Sequence, residues 1–169
     1  LLTQKSLTKY TNHKEIIIKH FVDSLAALVA TSFPQNGTVL DVGSGGGFPG
    51  IPLKILRPDL RLVLIDPVQK KCSFLNSMIG LLTLHGISTF NGTLEQYAKR
   101  PLDHVVDMVV VRALKFQDIR EHIPTLLNLN GKVVLYRAEP ITHQELDGKF
   151  HLVSDTAIDL QQKSGKRVI

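Results

Sequence analysis

The chain has 169 residues, enough for one domain that buries a substantial core without disulfides or bound metal. Twenty Lys and Arg against 15 Asp and Glu leave a charge of +5, which suits polyanionic partners, and a single cysteine excludes an internal disulfide framework and points to a reducing compartment. No apolar run reaches membrane-spanning length and no secretory signal pattern is visible, so the expectation is a cytoplasmic protein with no membrane partner.

In chain order, residues 12–33 read as one helix, with Ile16, Ile17, His20, Phe21, Ser24, Leu25 and Leu28 largely on one face. Pro34-Gln35-Asn36-Gly37 breaks it. The strand Thr38-Val39-Leu40 then runs into Asp41-Val42-Gly43-Ser44-Gly45-Gly46-Gly47-Phe48-Pro49-Gly50, and a short helix follows that Pro58 should stop at Leu56 or Arg57. Leu62 to Ile65 is a continuous apolar run, as in a strand buried on both faces. Val68, Cys72, Leu75, Ile79 and Leu82 form a helical stripe that places Cys72 in the core, with Gly86 as a stop.

A third strand is expected over Ile87 to Phe90, a small helix over Leu94 to Ala98 and a fourth strand over Val105 to Val111. Gln117 to Leu127 reads as a helix kinked at Pro124, with Ile119, Ile123 and Leu126 on one side. Lys132 to Tyr136 reads as the fifth strand, followed by strand-like His151 to Leu160 and Arg167-Val168-Ile169. Strands alternating with helices predict an α/β domain: a doubly wound, mainly parallel sheet with helices on both faces. Ligands of such sheets bind at the carboxyl ends of the strands, which collects Asp41 to Phe48, Asp66, Glu95, Arg112 and Arg137 around one cleft.

The glycine loop carries the most chemical information. Glycine lacks a Cβ and tolerates positive φ, so Gly43, Gly45 and Gly47 let the chain turn sharply and a ligand approach the backbone. A dinucleotide would set two phosphates beside Asp41, whereas S-adenosylmethionine (SAM) offers a sulfonium and an ammonium. Pro49 and Pro52 also remove N–H donors where a phosphate would seek them. The literal Gly-x-Gly-x-x-Gly match at Gly45 to Gly50 keeps the dinucleotide and a merely structural turn as alternatives.

Asp66, closing the second strand, can accept hydrogen bonds from both ribose hydroxyls of a nucleoside, or cap the next helix with Pro67 as its first residue. Leu94 and Glu95 fall where an adenine ring would lie, or on an ordinary surface helix. Arg112 cannot be a base, because arginine stays protonated. It can clamp an anion with two hydrogen bonds, or form a plain ion pair with Asp66 or Glu95. No metal-ligand spacing appears among the scattered histidines.

These motifs resemble the bacterial 16S rRNA guanine-N7 methyltransferases, the glucose-inhibited division protein B family. The resemblance runs from His20-Phe21-Val22-Asp23-Ser24-Leu25, through Asp41 to Leu53, through Asp66 to Leu75 with Lys70, Lys71 and Phe74 in place, to Arg112-Ala113. It implies a Rossmann-like, SAM-dependent methyltransferase of residues 37–169 behind an N-terminal helical segment of residues 1–36. The implied partner is small-subunit ribosomal RNA or an assembly intermediate, and a monomer is expected. By the same resemblance Gly43, Phe48, Leu94, Glu95 and Arg112 contact SAM, joined by Asp41, Ser44, Gly45, Gly47 and Asp66 as cofactor-binding candidates, with Arg112 the catalytic candidate.

Two positions depart from the family pattern: Thr93 stands where an arginine is usual, and Arg137-Ala138 where Lys-Gly is usual, which bears on RNA engagement. The chain opens at Leu1 rather than Met, and the family's extra N-terminal helices and final strand are expected to be missing. The chemistry agrees with the resemblance. Guanine N7 already carries a free lone pair, so methyl transfer to it requires positioning and no proton removal. Two rival classes remain open: a nucleotide-dependent oxidoreductase, whose Tyr-x-x-x-Lys spacing occurs at Tyr10 and Lys14, ahead of the first strand, and a SAM-binding module without catalysis.

Overall fold

The computed structural model of the chain describes residues 13–101, 104–160 and 166–169. The first helix forms in three parts: α1 (His13–Ile16), a π-helical turn over Ile17–Val22, and α2 (Asp23–Ala30). Asn12, its expected first residue, and Tyr10 lie outside the described residues. Ala26 and Ala27 of α2 pack into the main core beside Val39 and Leu53. Ser24 is buried with them, its hydroxyl donating to the His20 carbonyl. Its carbonyl in turn accepts the Tyr136 hydroxyl at 2.6 Å.

Five strands make the main sheet: β1 (Thr38–Val42), β2 (Arg61–Asp66), β3 (Ile87–Asn91), β4 (Val106–Arg112) and β5 (Leu127–Tyr136). Their order is β3-β2-β1-β4-β5 and every pairing is parallel. Chain order reverses between β1 and β4, the switch point at which open α/β sheets take ligands. The central strand β1 is buried at every residue, Thr38 and Asp41 included beside the apolar Val39, Leu40 and Val42. Alternation along the strands feeds two cores, with Val39, Leu62, Leu64, Met108 and Val110 on one face. Leu40, Val42, Val109 and Val111 lie on the other.

The crossovers carry α3 (Gly50–Leu56), α4 (Gln69–Leu81) and α5 (Leu94–Ala98). Cys72 and Leu75 of the expected stripe on α4 are buried, while its end residues Val68 and Leu82 are exposed. The chain leaves α4 through Thr83 at φ 48°, so Gly86, at φ 66°, serves the entry to β3 and not the helix stop.

Two expectations are corrected. The segment read as a helix over Gln117 to Leu127 forms only short 3₁₀ turns, Phe116–Asp118 and Arg120–His122. Pro124 has no N–H for an α-helical ladder, and the chain leaves α geometry upstream of it, at Ile119 with φ −126°. The buried side was nonetheless correctly placed, since Ile119, Ile123 and Leu126 are all in the core. β5 consequently begins at Leu127, and its register against β4 shifts between Val106 and Met108. Of the strand-like 151–160 segment only β6 (Ala157–Asp159) forms, pairing antiparallel with β7 (Lys166–Val168). An antiparallel bridge from Val168 to Arg137 sets this hairpin beside the end of β5.

Candidate cofactor cleft

At the end of β1 the chain turns over the carboxyl end of β2. The Gly43 and Ser44 N–H groups both donate to the Ile65 carbonyl, at 2.8 and 3.1 Å. Gly43, Gly45 and Gly47 adopt φ of 76°, 57° and 92°, a region costly for residues with a Cβ. A Cβ on Gly43 would stand 2.7 Å from the Leu114 side chain, and one on Gly47 2.5 Å from Ile51. Gly45 meets nothing nearer than 3.8 Å, so its backbone faces open space. The Phe48–Pro49 peptide is cis.

Asp66 organises this loop from the neighbouring strand. Its Oδ2 accepts the Gly45 N–H at 2.9 Å and the Lys71 ammonium at 3.3 Å, while Oδ1 accepts the Val68 N–H at 3.0 Å. The carboxylate therefore does steady the start of α4, but Val68 is the N-cap residue and Pro67 lies ahead of the helix.

Between the loop, β2 and β4 lies a cleft of about 510 Å³. Of the candidates drawn from sequence, Gly43, Ser44, Gly45, Phe48, Asp66, Leu94 and Arg112 line it. Asp41, Gly47, Glu95 and Arg137 do not. Gly47 faces the packing of Ile51 and Leu75 beneath the loop. Glu95 turns outward from α5 and pairs with Lys99 at 2.7 Å. Arg137 is held by both oxygens of Glu145, at 2.8 and 3.2 Å, and lines a separate groove along β5. Thr93 lines the cleft and caps α5: its hydroxyl accepts the Gln96 N–H at 3.2 Å and the Gln96 side chain accepts the Thr93 N–H at 2.9 Å. The departure from the family pattern at this position thus builds a capping box.

Asp41 lies wholly beneath the loop. Its Oδ2 accepts the Gly50 N–H at 2.8 Å at the start of α3. Its Oδ1 is the one buried side-chain N or O atom without a hydrogen-bond partner among the described residues. Burial pushes this carboxyl up to about 7, against the opposing pull of the Gly50 N–H. A cation above the loop would favour its ionised form, whereas a phosphate would oppose it. The loop, a carboxylate at the end of β2 and a buried acid with one oxygen free of hydrogen bonds together fit a cationic nucleoside better than a dinucleotide.

Arg112, at the end of β4, pairs with neither Asp66 nor Glu95. Its Nη1 meets Asp23 Oδ2 at 3.1 Å and its Nη2 meets His20 Nδ1 at 3.2 Å. The guanidinium lies 5.4 Å from the centre of the Phe48 ring. On that ring His20 stacks at 4.9 Å and Phe21 packs edge-on at 5.1 Å. Because arginine only donates, His20 Nδ1 is the acceptor, and burial with the Arg112 charge holds the ring's pKa down. His20 and Lys71 line the cleft but were not singled out as site residues from sequence. The available signal for the first was a polar face, His20 and Ser24, set into the apolar stripe of the helix.

The sequence profile of the family described as rRNA small subunit methyltransferase G matches residues 3–168. The chain belongs to this family. A ribosomal RNA small subunit methyltransferase G of Lachnoclostridium phytofermentans is 36% identical over 150 residues, covering 87% of this chain and 62% of that protein. The enzyme of the same name from Streptococcus agalactiae is 35% identical over 136 residues, covering 79% of this chain and 57% of that one. The chain therefore spans about three fifths of the length of the family members it matches.

Among solved structures, the ribosomal protein L11 methylase of Lactobacillus delbrueckii subsp. bulgaricus superposes with a TM-score of 0.64 at 18% identity, over 94% of this chain and 78% of that one. The precorrin-6y C5,15-methyltransferase of Geobacter metallireducens gives 0.62 at 15% identity, over 80% of this chain and 73% of that one. These likenesses establish the Rossmann-like methyltransferase fold. Among the described residues, no helix is long and apolar enough to cross a membrane and no cluster of three or more His, Cys, Asp or Glu could hold a metal.

Proposed function

We propose that the chain is a SAM-dependent methyltransferase acting on N7 of a guanine in small-subunit ribosomal RNA. Membership of the methyltransferase G family across residues 3–168 carries this reading. The cleft supports it: Gly45 leaves backbone open for close approach, and Asp66 Oδ1, which among the described residues accepts only the Val68 N–H, keeps an acceptor site for a ribose hydroxyl. Leu94 offers an apolar wall for an adenine, with Ile65 and Ile119 beside it. SAM, when bound, supplies the electrophilic methyl group.

The chain's own residues act by position and charge. Asp41 gains negative charge under the loop as it ionises, favoured by a cation above it, and its Oδ1 has no hydrogen-bond partner of its own among the described residues. Gly47 lets the loop sit down on Ile51 and Leu75, and Glu95 stays at the rim of the site. Arg112 presents a fixed positive charge between Phe48 and the N-terminal helix, where it can orient an anionic or carbonyl oxygen of the incoming RNA. Guanine N7 needs no base, so a site that offers alignment and an arginine is sufficient. The protein works as a cytoplasmic monomer on ribosomal RNA or an assembling subunit.

The deciding experiment is methyl transfer from labelled SAM to small subunits and to naked ribosomal RNA, followed by nucleoside analysis. Label in 7-methylguanosine is the expected result. Label on cytosine, on an adenine amine or on protein would reject the base assignment, and SAM binding without any transfer would favour a non-catalytic module. A nicotinamide-dependent oxidoreductase is disfavoured by the family match; calorimetry should show SAM and its demethylated product binding, and NAD not.

A further inference from the structure

One buried carboxylate gathers two arginines from separate elements of the chain. Asp23 is 1% exposed at its side chain, in the first turn of α2. Arg167 of β7 reaches it with two prongs, Nε to Oδ1 at 2.6 Å and Nη2 to Oδ2 at 2.8 Å. Arg112 donates to the same Oδ2 at 3.1 Å. The three residues come from the N-terminal helix, the end of the fourth strand and the terminal hairpin. Local folding places none of them near another.

The arrangement has a direction. Arg112 lines the cleft and is 14% exposed, whereas Arg167 approaches Asp23 from outside the cleft lining. Both Nη atoms of Arg112 are engaged on the N-terminal helix: Nη1 with Asp23 and the Lys19 carbonyl, and Nη2 with His20. Two guanidiniums sharing one carboxylate repel each other, so the site is held by the geometry of Asp23 and not by surplus charge. A planar fork can fix a carboxylate in two directions, which a point-charge lysine cannot. With Asp23 fixed, the Arg112 guanidinium is held over Phe48 of the glycine loop, 5.4 Å from the ring centre.

We propose that Asp23 and Arg167 are positioning residues for methyl transfer: Arg167 locks Asp23, and Asp23 aims Arg112 across the cleft at Phe48. The inference rests on the methyltransferase reading for its catalytic half only.

The test is a double-mutant cycle on kcat/KM, pairing Arg167→Gln with Arg112→Ala in the full chain. Arg167→Gln should lower kcat/KM about tenfold alone but less than about twofold when Arg112 is already alanine, the non-additivity of residues acting through one another. Arg167→Lys, keeping charge but not the fork, should fall between wild type and Arg167→Gln. Equal losses in both backgrounds would overturn the proposal, because a structural role would act whether or not Arg112 were present.

A second readout needs no substrate. In ¹⁵N NMR the Arg112 guanidinium should show hindered rotation, with separate Nη signals that merge in Arg167→Gln. Signals unchanged by that substitution would refute the positioning. Should Asp23→Asn fail to fold, the Arg167 variants still decide the question. Absence of methyl transfer by the wild-type chain would count against the functional reading, while the NMR result would still judge the geometry.

Discussion

At the scale of single residues, Asp41 and Arg112 show how far burial changes what a side chain does. Asp41 is fully buried with its pKa raised to about 7, well above the ordinary carboxylate value of about 4. The folded state therefore binds more protons than the unfolded state between about pH 4 and about pH 7. Stability contributed by this group is greatest below the lower value and is lost as pH rises through the upper one. Asp41→Asn keeps an acceptor for the Gly50 N–H and removes the titration. Its melting temperature relative to wild type should climb from pH 4 to 8 in calorimetric scans, and a constant difference would show that Asp41 does not titrate in that window.

An arginine at an exposed position can usually be lost with little change in stability. The pairing of Arg112 with buried Asp23 alters that expectation. Arg112→Ala removes a charged hydrogen bond worth about 2 kcal/mol, although Arg167 still neutralises Asp23. The variant should melt measurably lower yet remain folded, and methylation per folded molecule should fall by more than tenfold. Activity retained per folded molecule would reduce Arg112 to a structural ion pair.

At the scale of elements, α5 is short and depends on its ends. A five-residue helix cannot persist on propensity, so Leu94 anchors it in the core and Thr93 caps it. Thr93→Ala should cost about 1 kcal/mol by urea titration, the usual worth of such a cap. Because Thr93 also lines the cleft, the affinity for SAM should weaken with it. Thr93→Ser, which retains the cap, should preserve both, and a weakened Thr93→Ser would locate the effect in the methyl group instead. Beside it, the turns that replaced the expected helix after β4 bury Ile119, Ile123 and Leu126 without an α-helix, so an apolar helical pattern there marked the buried side and not the element.

At the scale of the whole molecule, a charge of +5 and the proposed RNA substrate predict strong salt dependence. Each neutralised phosphate releases condensed counter-ions, giving a log–log slope of about −0.7 per contact on single strands. Filter binding of ribosomal RNA across a salt series should show several contacts, while calorimetric affinity for SAM should hardly move, since that cleft mixes Asp66, Arg112 and Lys71. A flat RNA titration would mean that the basic residues are only a solvated surface.

The order of the five main strands and of the helices between the first four, the glycine loop, Asp66 at the end of β2 and the buried Cys72 and Leu75 of α4 were legible in the sequence, because apolar periodicity and glycine steric freedom are local properties. The loop's side-chain directions were legible only in part. Asp41 lies two residues after Val39 and so shares that face of β1, beneath α3, though its acidity beside the glycines suggested the cleft. Glu95 follows Leu94 by one helical step of about 100°, which turns it outward once Leu94 is buried. The partner of Arg112 was not legible at all. Nothing local distinguishes Asp23 from other acids, and only the packing of α2 against the sheet brings it, with Arg167, to the end of β4. Periodicity fixes which residues are inside; which charges meet there is decided by elements far apart in the chain, because a buried carboxylate must find its cations wherever tertiary packing puts them.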